Sequence, residues 1–104
     1  MDPSHPSAPR YHAHLCVAPE HPCLPGHFPG QPLVPGVLLL EHVARALREW
    51  RAQRLARVVE AKFLAPLHPG EPAEVELGES AGRIRFEIRR GDTVLARGLI
   101  EGAA

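Results

Sequence analysis

The sequence predicts an α+β domain on three observations: one unbroken helical pattern after Pro35-Gly36, a series of alternating segments behind it, and a tight Gly91-Asp92 turn between the last two. One long helix followed by a strand meander is unlike the strand–helix alternation that builds parallel sheets. The 104 residues suffice for one domain, which at this size buries roughly 60–70% of its unfolded surface and gains from oligomerisation. With three Phe, one Trp and one Tyr, the core has to be mainly Leu, Val and Ala.

Residues 1–10 read as a flexible N-terminal arm, because residues 1–9 carry three prolines and no large apolar side chain apart from the initiating Met. The domain is expected over 11–104. Residues 11–17 (YHAHLCV) alternate, placing Tyr11, Ala13, Leu15 and Val17 on one face of a strand and His12, His14 and Cys16 on the other. From Pro19 to Pro35 a proline recurs every three or four residues, and each one restrains itself and the residue before it. That stretch is expected to be a rigid, extended loop.

Helical periodicity follows. Pro35 suits a first turn because its missing N–H has no intrahelical use. Leu40, Val43, Leu47 and Trp50 form an apolar stripe widened by Leu39 and Ala46, and no Gly or Pro interrupts the run through Arg57. Strands are expected within 55–64, 73–77, 83–89 and 93–101, with Pro69-Gly70 and Gly91-Asp92 as turns.

Charge and composition exclude several functions. A formal net charge of zero and an isoelectric point near 7.1 are unlike a general nucleic-acid binder. The longest aliphatic run, Val37 to Leu40, is far too short to span a bilayer. The N-terminal residues hold no apolar stretch of a secretory signal, and two cysteines in such a chain imply reduced thiols and a cytoplasmic address.

Chemistry concentrates in PGHFPGQPLVPGVLLLE, residues 25–41. His27 sits between two Pro/Gly turns, and an imidazole is a competent base near neutrality. Gly36 lies where a helix N-terminus offers unpaired N–H groups to a developing oxyanion. Glu41 is the one acid in an otherwise aliphatic helix entrance, where burial would favour its protonated form. Base, oxyanion site and acid are what elimination of water from a β-hydroxy carbonyl compound requires. Each residue also has an ordinary reading: a surface His, a turn Gly, a solvated Glu paired with Arg45 one turn on. Composition and spacing leave these readings open.

The run GHFPGQPLVPGVLLLE resembles the signature of the hot-dog-fold 3-hydroxyacyl-(acyl carrier protein) dehydratases, and is especially similar to the short members associated with aryl polyene pathways. The separation of His27 and Glu41 by fourteen positions matches that signature, and KFLAPLHPGE, residues 62–71, resembles the family's later strand and Pro-Gly-acid turn. The resemblance implies an antiparallel sheet wrapped around one long helix at about residues 36–52. It also implies a homodimer with shared active sites, able to assemble further, in which His27 of one subunit meets Glu41 of the other. His27 would take the α-proton of a (3R)-3-hydroxyacyl thioester, Glu41 would assist departure of the hydroxyl, and the Gly36 N–H would polarise the thioester carbonyl. The product would be a trans-2-enoyl thioester. Phe28, Pro29, Gly30 and Val37 would line the substrate. No metal or redox cofactor is implied, the acyl group arriving on the phosphopantetheine arm of an acyl carrier protein. Many relatives carry Gln four residues after the acid, where this chain has Arg45.

Two alternatives stand beside the dehydratase: a hot-dog thioesterase, and a non-catalytic subunit that binds acyl carriers, for which Arg45 is the main support. Arg45, Arg48, Arg51, Arg54 and Arg57 recur every third residue. Arg45 and Arg48, nearest the site, are the candidates for meeting an acidic carrier. His12, His14, Cys16, His21 and Cys23 match no standard structural zinc spacing, so no metal site is expected.

Overall fold

The computed structural model describes residues 10–17 and 34–104. Its elements are β1 (Arg10–Leu15), α1 (Gly36–Arg51), β2 (Arg54–Phe63), β3 (Ala73–Ser80), β4 (Arg83–Arg90) and β5 (Thr93–Ala103). The strands form one antiparallel sheet in the order β1-β3-β4-β5-β2, with α1 packed on one face. β1 begins at Arg10, and residues 1–9 of the expected arm lie outside the described residues.

The hairpin turns follow from backbone chemistry. Ser80 pairs with Arg83 across Ala81 and Gly82, both at positive φ, as a two-residue turn matching the twist of its strands demands. Arg90 pairs with Thr93 across Gly91-Asp92, and Gly91 takes the positive φ that such a turn places at its first position.

Alternation puts Val75 and Leu77 of β3 with Ile84, Phe86 and Ile88 of β4 on the inner face. Leu38, Leu39, Val43, Ala46 and Leu47 of α1 are buried, while Leu40 and Trp50 pack at the margin of the core. The apolar stripe is therefore the expected one, rotated slightly toward Leu38. Trp50 stacks on Tyr11 with ring centroids 6.2 Å apart, and the Arg51 guanidinium lies 4.0 Å from the Trp50 centroid. These contacts fasten the end of α1 to β1. The outer sheet face is charged, with pairs such as Arg10–Glu76, and exposed pairs of this kind stabilise weakly.

The helix ends earlier than its sequence pattern. Ala52 turns left-handed (φ 55°, ψ 34°) and its N–H donates to the Arg48 carbonyl, closing α1 at Arg51. Arg54 and Arg57 then belong to β2, so helical periodicity does not extend through Arg57. The pairing partner decides this: β2 lies along β5 from Arg54↔Ala103 to Phe63↔Ala96, and that ladder overrides the local helical propensity of its first residues. The long row of arginines is divided accordingly, with Arg51 bound to Glu79 and Arg57 near Glu101. Among the described residues, no helix is long and apolar enough to cross a membrane.

Candidate active site

The end of β2 meets the start of α1. Pro35 is the N-cap, extended at φ −63° and ψ 148°, and offers no side-chain acceptor to the first turn. The Leu38 and Leu39 amides donate to the Pro35 carbonyl. Among the described residues no acceptor meets the Gly36 or Val37 amide, and no acidic side chain occupies the first turn. The positive end of a helix dipole at such a start favours an anion or a polarised oxygen.

Phe63, at the end of β2, stands over this helix start. A Cβ placed on Gly36 would lie 3.0 Å from the Phe63 ring, so glycine permits the ring to rest against the helix backbone. Phe63 is 51% exposed, and Val37 and Leu64 are also open, giving an apolar collar beside the Gly36 amide. The sequence reading missed Phe63. Its signal was weak, a lone aromatic at the end of an alternating strand.

Along the helix, Val37, Glu41 and Arg45 stand at four-residue spacing, and all three are exposed on the single chain. Among the described residues nothing covers Glu41. Arg45 makes no ion pair with Glu41 or with any other described acid, and Arg48 likewise carries no side-chain ion pair among the described residues. A cleft of about 250 Å³ between β1 and α1 is lined by His14, Cys16, His42, Arg45 and Glu49 among others. Larger hollows of about 400 and 440 Å³ lie on the charged outer face of the sheet, away from the helix start. Tyr11 donates to Glu49 across 3.2 Å, and burial, with help from that carboxylate, raises its hydroxyl pKa.

His27, Phe28, Pro29 and Gly30 lie outside the described residues, as do His21 and Cys23. The structure brings Gly36, Val37, Glu41, Arg45 and Arg48 onto one helix. Among the described residues no group of three or more His, Cys, Asp or Glu is gathered for a metal ion, and His12, His14 and Cys16 stand exposed along β1.

Comparison with known proteins adds a family to this geometry. The family model described as ApeI-like, ApeI dehydratase, matches residues 4–99. The 3-hydroxyacyl-[acyl-carrier-protein] dehydratase FabZ of Haemophilus influenzae is 37% identical over 71 residues, covering 59% of this chain and 48% of the relative. The FabZ of Pectobacterium atrosepticum is 38% identical over 85 residues, covering 68% of this chain and 56% of the relative. The chain thus spans about half the length of the curated relatives it matches. A solved structure, the dehydratase heterocomplex ApeI:P from Xenorhabdus doucetiae, superposes with a TM-score of 0.79 at 23% identity, covering 95% of this chain and 91% of the other. At that identity the likeness carries the fold, a hot-dog with its sheet curled around one helix.

Proposed function

Because this chain belongs to the ApeI-like dehydratase family, we propose that it removes water from (3R)-3-hydroxyacyl thioesters carried on an acyl carrier protein, releasing trans-2-enoyl thioesters. The observation that carries the reading is the start of α1, where Gly36 and Val37 amides with no acceptor among the described residues, no first-turn acid, and Glu41 on the same helix coincide in a chain carrying the GHFPG motif.

The chemistry is acid–base throughout and calls on no metal or redox group. The Gly36 N–H donates to the thioester carbonyl oxygen, which gains negative charge as the α-proton leaves. His27 accepts that proton. The electron pair of the broken C–H bond forms the C2–C3 double bond, the C3–O bond breaks, and the departing hydroxyl takes a proton from Glu41 to leave as water. Transfer of the proton from His27 back to Glu41 resets the pair. Phe28, Pro29, Gly30 and Val37 flank the acyl thioester in this scheme. Arg45 and Arg48, exposed on the same helix, face the acidic carrier and speed its encounter. The pathway is placed in the cytoplasm.

A second copy of the chain completes the site. Among the described residues β2 pairs only with β5 and leaves its other edge open, with Val58, Phe63 and Leu64 exposed along or beside it. Pairing two such edges covers these residues, removes an aggregation-prone edge and desolvates Glu41, whose protonated form burial favours. His27 of one subunit then serves with Glu41 of the other. The Xenorhabdus structure is described as a dehydratase heterocomplex, so a different subunit is the competing occupant.

The test is incubation with a 3-hydroxyacyl carrier thioester, followed by mass spectrometry. Loss of one water from the carrier-bound acyl group is the expected result, abolished in His27→Ala and in Glu41→Gln. Release of free acid would make the chain a thioesterase. No change, with wild type equal to His27→Ala, would make it a binding subunit. Mixing the two inactive variants is expected to restore part of the activity, and failure in confirmed mixed dimers would refute the shared site.

A further inference from the structure

The turn between β2 and β3 carries no residue of the scheme above, yet it holds both ends of the segment that contains His27. The Val34 N–H donates to the Leu67 carbonyl across 2.9 Å, and the Gly70 N–H donates to the Val17 carbonyl across 2.8 Å. Val17 and Val34 are the described residues on either side of residues 18–33, and both are buried. One short turn, residues 67–70, therefore binds both residues that flank that segment. Leu67 anchors the turn in the core.

The shape of the turn depends on a single carboxylate oxygen. Glu71 Oε1 accepts from the His68 backbone N–H at 2.9 Å and from Arg90 Nη1 at 3.1 Å, and lies 3.3 Å from His68 Nδ1. Arg90 Nη1 also donates to the Pro66 carbonyl at 2.9 Å, tying the turn to the end of β4 from the other side. The Glu71 N–H returns to the His68 carbonyl at 3.1 Å, and Gly70 supplies the positive φ, 86°, that the tight reversal needs. Arg90 and Glu71 are both partly exposed, a setting in which an ion pair gives little net stability. Their geometric consequence is larger: they orient the Leu67 carbonyl and the Gly70 amide, the two handles on Val34 and Val17.

We propose that Glu71 and Arg90 are positioning residues for catalysis. They hold the turn that sets both ends of the His27 segment, and so place the base relative to the start of α1. The inference rests on the dehydratase reading, and its structural half is measurable without turnover. A misplacement of about 1 Å in a reacting group can cost about 100-fold in rate, so a loosened turn is expected to act on kcat more than on binding.

The experiment uses the full chain with Glu71→Ala, Glu71→Gln, Arg90→Met and Arg90→Lys. Glu71→Gln keeps an acceptor oxygen for the His68 amide and is expected to stay within about threefold of wild type. Glu71→Ala and Arg90→Met are expected to lower kcat at least tenfold with KM within threefold, and Arg90→Lys to recover part of that loss. Hydrogen exchange on the same proteins is expected to show faster exchange at the Val34 and Gly70 amides, with α1 and the inner strands still protected. Unchanged kcat in an active background, unchanged exchange at those two amides, or loss of protection across the whole sheet would each overturn the proposal. A wild type inactive on the thioester would instead refute the dehydratase reading, while the exchange data still decide whether the turn is held by this pair.

Discussion

Replacing Gly36 with Ala separates the conformational role of this residue from its chemical one. Gly36 is in ordinary helical backbone and not at positive φ, so Ala suits it and should add about 0.4–1 kcal/mol by restricting the unfolded chain. Against this stands the Phe63 ring, with Cζ at 3.0 Å, Cε1 at 3.1 Å and Cε2 at 3.4 Å from the new methyl. A shift of a few tenths of an ångström relieves those contacts, and a half-exposed ring on a flexible side chain can make it. The net effect of Gly36→Ala is therefore expected within about 1 kcal/mol of zero. In a Phe63→Ala background the contact is gone and the stabilising part should emerge, giving a coupling of about 0.5–1 kcal/mol. Urea unfolding of the four proteins at one fixed concentration measures this, and turnover of the same proteins reads the chemistry, since Ala keeps the N–H. A loss above about 2 kcal/mol in both backgrounds would refute the reasoning, because the methyl would then be meeting something other than Phe63.

Ala52 occupies left-handed backbone that costs a non-glycine residue about 1–2 kcal/mol. Ala52→Gly is thus expected to stabilise by about 0.5–1 kcal/mol after the added unfolded-chain entropy, a rise of several degrees in Tm by calorimetry. Gly98→Ala is expected to cost about 3 kcal/mol or more in denaturant unfolding, because its Cβ would collide with the Glu60 carbonyl oxygen and lie 2.7 Å from the Phe86 ring. The backbone hydrogen bond from His68 holds the Glu71 carboxyl below its usual pKa, aided by the His68 ring and Arg90 against some desolvation. Its stabilising contribution is present above the ordinary carboxylate range and is lost as pH falls through the depressed value. Acid unfolding of Glu71→Gln should accordingly show a shallower loss of stability at low pH than wild type.

What was legible in the sequence was whatever repeats with a period. Tyr11, Ala13, Leu15 and Val17 alternate in burial with His12, His14 and Cys16, and the α1 stripe buries Val43, Ala46 and Leu47. Residues 54–57 resisted because Arg-Leu-Ala-Arg favours helix locally, and pairing with β5 makes it a strand. The start of α1 was legible because Pro-Gly followed by aliphatics is a chemical signal in itself. The contact of Phe63 with Gly36 joins positions 27 residues apart, and the three groups around Glu71 Oε1 come from a position 19 residues away and from an irregular turn, so neither pattern has a period.

Those contacts give the segment from Lys62 to Glu71 a particular place in the molecule. It ends β2, lays Phe63 on the helix start, and holds Val34 and Val17 through Leu67 and Gly70. Not one of these residues enters the proposed proton transfers. Substitutions on α1 at Glu41 act by removing a reacting group, whereas substitutions in this segment act through distance and angle. The two classes should combine differently. Once Glu41 is gone there is little rate left for geometry to influence, so Glu71→Ala added to Glu41→Gln should lower turnover far less than it does alone. Near-additive losses would mean that the turn acts on something other than the placement of the acid–base pair.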